Sequence, residues 1–199
     1  MITRKEMTRM LLKEGLLSCL ANHSFESVTV TSLCKASGIT RSTFYLHYSN
    51  IMEIVDDLVD DAIAYSKPGM VDNNNLQTIA KTLSAASDSV SLREAYDSIF
   101  DRLPLCQRII RHKKYLPLFL DEQISEYVLQ RIIGSEKDRQ GLVMAEALGI
   151  SFDVGVSVFV FLVHGLYAVN KEYKWSQSDQ WLEAQKIIFE LVYRGLQSK

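Results

Sequence analysis

Residues 29–48 read TVTSLCKASGITRSTFYLHY, and the fold follows from this stretch. Thr29 is a good N-cap for a short helix over residues 30–36, because its hydroxyl can accept from an unpaired first-turn amide. Ser37-Gly38 ends that helix, with Gly38 suited to the left-handed position just past a helix end. Thr40 then caps a second short helix over residues 41–47. The first helix must bury Val30, Leu33 and Cys34, and Ile39 plugs the gap between the two. On the second helix a 100° step per residue puts Phe44 and Tyr48 on one face. Arg41 and Tyr45 fall on one flank of that face, Thr43 and His47 on the other, and Ser42 and Leu46 point away. The result is a helix-turn-helix with one helix exposed along its outer side, as a recognition helix is presented to the major groove.

Working outward, residues 3–22 form an amphipathic helix with Met7, Met10, Leu11, Leu17 and Leu20 near 3.6 spacing. A helix over residues 51–65 carries Ile54, Leu58 and Ala62 on one stripe, with Val55 and Val59 beside it. Lys67-Pro68-Gly69 and Asp72-Asn73-Asn74-Asn75 mark the first obvious loop. That loop sets a boundary between an N-terminal domain, 1–66, and a larger one, 67–199. Beyond it we expect helices near 75–87, 92–102, 104–113, 116–133, 140–169 and 178–197. Ser91-Leu92-Arg93-Glu94 has the form of a capping box, and Pro104 and Pro117 suit first helical turns. Val154 to Val163 is rich in β-branched and aromatic residues, but it lacks flanking turns and a partner strand, so it reads as helix. The fold class is therefore all-α: a three-helix helix-turn-helix head joined to a larger helical domain.

At 199 residues and 47% apolar composition, the chain can bury a core without disulfide or metal staples. Residues 1–50 carry Arg4, Lys5, Arg9, Lys13, Lys35 and Arg41 against Glu6, Glu14 and Glu26, a basic head. The acidic run Glu53 to Asp61 offsets it and reads as a solvated helix face. Cys19, Cys34 and Cys106 are odd in number and widely spaced without a CxxC, so they read as buried thiols. The N-terminus has no apolar signal core, and the run Phe152 to Val169 contains Asp153 and His164, so it reads as a buried helix and not a membrane span. The expected compartment is the cytoplasm.

Phe25, Val28-Thr29-Val30, Leu33, Ala36, Gly38-Ile39-Thr40 and above all Ser42-Thr43-Phe44-Tyr45-Leu46-His47-Tyr48 resemble the TetR/AcrR family of bacterial transcriptional regulators. The resemblance covers about residues 5–65. One departure is Ile51, where the family often carries a phosphate-contacting Lys; Asn50 or the start of the following helix would serve instead. The resemblance implies DNA contacts by Thr29, Thr40, Arg41, Ser42, Thr43, Tyr45, Leu46 and His47. Arg41 is the only basic residue on the second helix and can fork onto a guanine edge. Ser42 and Thr43 let the backbone approach, Tyr45 and His47 match the family's phosphate pair, and Leu46 can meet a thymine methyl.

Residues 75–199 contain no HExxH, GxGxxG, Walker A or GxSxG pattern, and no metal site or cofactor is expected. The chain does not read as an enzyme. By the resemblance, this region binds a small-molecule effector and forms a homodimer through the last two helices. Phe152, Val156, Phe159, Val160, Val163 and Tyr167, with Ile187, Ile188, Leu191, Val192 and Leu196, make faces wider than one neighbouring helix covers. Effector contacts are expected from Tyr96, Phe100, Tyr115, Phe119, Met144 and His164, with Cys106 and His112 near them. The function so implied is a ligand-responsive repressor on double-stranded DNA with an inverted-repeat operator. Control by a protein partner, or activation, is the alternative. An all-α enzyme or binding protein without DNA binding is more remote.

Overall fold

Three threonines start helices. Thr3 and Thr29 each accept from an amide three residues on and close a capping box, and Thr40 accepts from the Thr43 amide. In the computed structural model, which describes residues 3–66 and 75–197, every regular element is helical. The helices are α1 Arg4–Leu20, α2 Val30–Ser37, α3 Arg41–Tyr45, α4 Met52–Ser66, α5 Asn75–Ser84, α6 Ser89–Ser98, α7 Leu105–Arg111, α8 Leu116–Leu120, α9 Ser125–Leu148, α10 Phe152–Glu172 and α11 Asp179–Gln197. The expected loop over residues 67–75 lies almost wholly outside the described residues.

Several expected helices change at their ends. The cap of α6 is Asp88, with Ser91 as its reciprocal partner, so the capping box begins three residues before Ser91. The expected helices over 116–133 and 140–169 do not exist as drawn. Asp121 separates α8 from α9 by accepting from the Gln123 and Ile124 amides, at 3.0 and 3.2 Å. Alpha-9 then runs on to Leu148, where Gly149, at φ +61°, ends it before α10. A single long helix through that point would have needed a residue content that favours continuation; a left-handed glycine does the reverse.

The described residues form two compact units. One holds the residues up to Ser66 together with Ile109–Ile132; the other holds those from 75 to Arg108 and from Ile133 onward. The first unit is therefore larger than the 1–66 domain drawn from the sequence. Its α1 buries Leu12 and Leu16 fully, with Thr8, Leu17 and Leu20, while Met7 is exposed and Met10 and Leu11 are half-buried. The buried stripe is thus rotated from the expected one.

In the second unit Ile79, Leu83, Leu92, Tyr96, Trp181 and Phe189 meet in one core. Alpha-9 and α10 cross closely there, with Gly155 against the Gly141 carbonyl and the backbone of Ala145. Alpha-10 is long and apolar enough to cross a membrane, with a mean hydropathy of 1.9, and only 28% of that window is buried. The buried-helix expectation holds for one face of it. Phe159, Val163, Leu166 and Tyr167 point inward; Phe161 is 74% exposed, and on α11 Leu191 is 65% exposed.

Candidate nucleic-acid interface

Phe44 anchors α3. Its side chain is fully buried, its ring meets Tyr45 edge-on at 5.1 Å and lies 6.3 Å from Tyr48, and Leu33 and Cys34 of α2 are buried in the same unit. Gly38 joins α2 to α3 at φ +67°, a conformation that costs glycine nothing and other residues about 1 kcal/mol or more. Alpha-3 ends at Tyr45, two residues short of the expected helix, and His47 lies in the turn that follows. Val30 and Ile39 are half-buried and complete the junction.

The opposite side of α3 faces solvent. Leu46 is 81% exposed, Tyr45 is 53% exposed, and Arg41 and Ser42 are exposed beside them. Arg41 Nη1 donates to Thr31 Oγ1 at 3.4 Å, a long contact that leaves the guanidinium's remaining donors available. Thr29 and Thr40 act as caps, and the Thr40 hydroxyl also meets those of Ser42 and Thr43 at 3.0 and 2.8 Å. His47 is half-buried, and its Nδ1 is enclosed without a hydrogen-bond partner. The eight residues expected from the sequence thus lie on or beside one pair of short helices.

The acidic run of α4 is not a merely solvated face. Asp57 takes Arg9 Nε at 3.0 Å and the Tyr48 hydroxyl at 2.5 Å, and Asp61 pairs with Lys13. Asp56 and Asp60 pair with Arg131, and Asp56 also accepts from the Tyr127 hydroxyl. Two carboxylate pairs at i,i+4 spacing, offset by one residue, therefore bind different partners: one pair holds α1, the other holds the start of α9. Burial works to raise the Asp57 carboxyl, but hydrogen bonds from Arg9 and Tyr48 outweigh it and hold it below the usual range. Burial, reinforced by that carboxylate, pushes the Tyr48 hydroxyl up. Tyr48 is thereby a neutral donor that ties the end of the motif to α1 and α4. Asp121 adds a further tie: it accepts from the Phe25 amide at 2.6 Å, and Gln123 Nε2 donates to Glu26 at 2.9 Å.

The expected effector residues are dispersed. Tyr115 and Phe119 are buried in the first unit, and His112 packs against Tyr65 there at 4.1 Å. Tyr96, Phe100, Met144 and His164 belong to the second unit. Tyr96 is buried against Trp181 at 5.1 Å and donates to Gln107 Oε1 at 3.3 Å; Phe100 packs on the same core; Met144 is buried and His164 half-buried. The Cys106 side chain lies outside the described residues. Open clefts of about 610 and 430 Å³ lie on the first unit, one along Ser18, Asn22, Ser32 and Lys35, the other along His23, Glu26 and Asp121; none of the six expected residues lines either.

The sequence reading missed buried polar groups in the second unit. Gln107 Nε2 donates to Gln185 Oε1 at 3.3 Å, and Trp181 Nε1 to Asn170 Oδ1 at 2.8 Å. Gln185 Nε2 and Asn170 Nδ2 are enclosed without partners. A signal existed: Gln185 lies midway between Trp181 and Phe189 on one helical stripe, where an apolar residue is the default. Among the described residues no group of three or more His, Cys, Asp or Glu could hold a metal ion. No protein-family model, no curated protein and no solved structure matches the chain.

Proposed function

We propose that the chain is a DNA-binding transcriptional regulator of the TetR/AcrR kind, a ligand-responsive repressor acting in the cytoplasm as a homodimer on an inverted-repeat operator. The observation that carries the reading is the two-sided segment 41–48, α3 and the turn after it: Phe44 and Tyr48 are buried, while Arg41, Ser42, Tyr45 and Leu46 stand exposed. Leu46, just past the five-residue helix, stands exposed beside exposed Tyr45 and Arg41, and base-edge and phosphate contact accounts for all three. Arg41→Ala should weaken binding to the selected operator by about 1–3 kcal/mol, and Tyr45→Phe should weaken all duplexes evenly. Gel shifts on a selected and a scrambled duplex read both effects; unchanged affinity in both variants defeats the assignment.

The exposed apolar strip of α10 and α11 supports the dimer. Phe161→Glu alters a side chain that the single chain leaves 74% exposed, so it should leave the protomer folded and shift the species in light scattering toward the 22.7 kDa monomer. A wild-type protein already monomeric at micromolar concentration removes the basis for the dimer. Partition of the wild type into lipid vesicles would assign the strip to a membrane instead.

Regulation by a small molecule requires an effector that prefers the DNA-incompetent state, and operator DNA must then weaken effector binding by the same factor. Calorimetry with and without operator reads this reciprocity.

A further inference from the structure

We propose that Arg4 and Lys5, on the first turn of α1, bind DNA backbone phosphates and extend the contact surface beyond α2 and α3; this rests on the DNA-binding reading above. The six cations of the head are not equivalent. Arg9 and Lys13 are neutralised by Asp57 and Asp61. Arg4 and Lys5 are exposed and have no ion pair among the described residues. Net charge alone conceals this division.

Their place follows from the pairing register. Arg9–Asp57 and Lys13–Asp61 share one offset of 48 residues, so α1 and α4 run side by side in the same direction. One turn earlier, the same offset puts Lys5 level with Glu53, in the first turn of α4. Arg9 lies 5.1 Å from the ring of Tyr48, which fixes the end of the motif at the level of Arg9. Lys5 lies about 6 Å farther along the α1 axis, from a rise of 1.5 Å per residue.

That end of the motif is short of positive charge. Residues 46–51, LHYSNI, link α3 to α4 without a Lys or Arg. Two carboxylates lie nearby, each held by a backbone amide: Glu53 accepts from the Ser49 amide at 2.8 Å, and Glu6 accepts from the Thr3 amide at 2.7 Å. A duplex lying along the exposed side of α3 and continuing past this link meets Arg4 and Lys5 as its uncommitted cations. Arginine and lysine on phosphate form charge-assisted contacts, and each contact releases condensed counterions from the duplex.

The test is the salt dependence of binding by full-length Arg4→Gln/Lys5→Gln protein to a 30-base-pair duplex of mixed sequence. The slope of log affinity against log salt should fall by about 1.8 relative to wild type, at roughly 0.9 per lost phosphate contact. Arg4→Lys/Lys5→Arg should restore the slope, and Lys171→Gln, on the exposed side of α10, should leave it unchanged. The loss should be equal on any sequence, unlike that of Arg41→Ala. A double variant with the wild-type slope overturns this proposal while leaving DNA binding by α2 and α3 intact. A wild-type protein whose duplex affinity does not respond to salt overturns the DNA-binding reading itself.

Discussion

Phe44→Ala is expected to destabilise the protein by about 3–5 kcal/mol, a large fraction of the 5–15 kcal/mol that holds an ordinary domain together. Phe44 is fully buried on a helix of five residues, and that helix makes little stability of its own. The ring is therefore what keeps α3 against α2. Its removal leaves a cavity beside Tyr48, whose hydroxyl is already held by Asp57 and cannot swing in to fill it. Urea denaturation followed by far-UV dichroism measures the loss as a lower midpoint at unchanged slope. On the proposed DNA-binding reading, duplex binding should fall with it, because the exposed row of Arg41, Tyr45 and Leu46 has no fixed orientation once its anchor is gone. A loss under 1 kcal/mol would mean that α3 is held by contacts other than this ring.

Gly155→Ala is the second. A β-carbon there would lie 2.3 Å from the Gly141 carbonyl oxygen and 2.9 Å from the Ala145 amide nitrogen. Both are backbone atoms, so no side-chain rotation relieves the clash and α9 must move away from α10. Overpacking of this kind costs about 1–3 kcal/mol, against a gain of under 1 kcal/mol from replacing glycine in a helix. Gly134→Ala on α9 meets nothing within 4 Å and should show the gain alone. Opposite signs for the two variants in thermal unfolding are the expected result; the same sign in both would show that the crossing is looser than drawn.

Where chemistry is local, the chain alone determined the outcome. Thr29, Gly38 and Thr40 act through atoms no more than about four residues away, so the two short helices and their turn were legible from residue types. The burial of Phe44 and Tyr48 and the exposure of Leu46 follow from the 100° step. The end of α9 at Gly149 is local too, since glycine adopts the left-handed conformation found there at little cost.

Only the tertiary structure decided which charges cancel. Asp56 and Asp57 are neighbours in sequence, yet one pairs with a residue 75 positions later and the other with one 48 positions earlier. Electrostatic pairing depends on where helices come to lie side by side, which no count of charges contains. For the same reason the basic head of residues 1–50 resolves into cations that hold the fold, Arg9 and Lys13, and exposed cations with no ion pair among the described residues, Arg4 and Lys5. Membership of a core is likewise non-local: Tyr115 and Phe119 looked like companions of Tyr96 and Phe100 in sequence, and packing assigned the two pairs to different units. Side-chain type limits what a residue can do, while the distant segments packed against it determine which of those interactions forms.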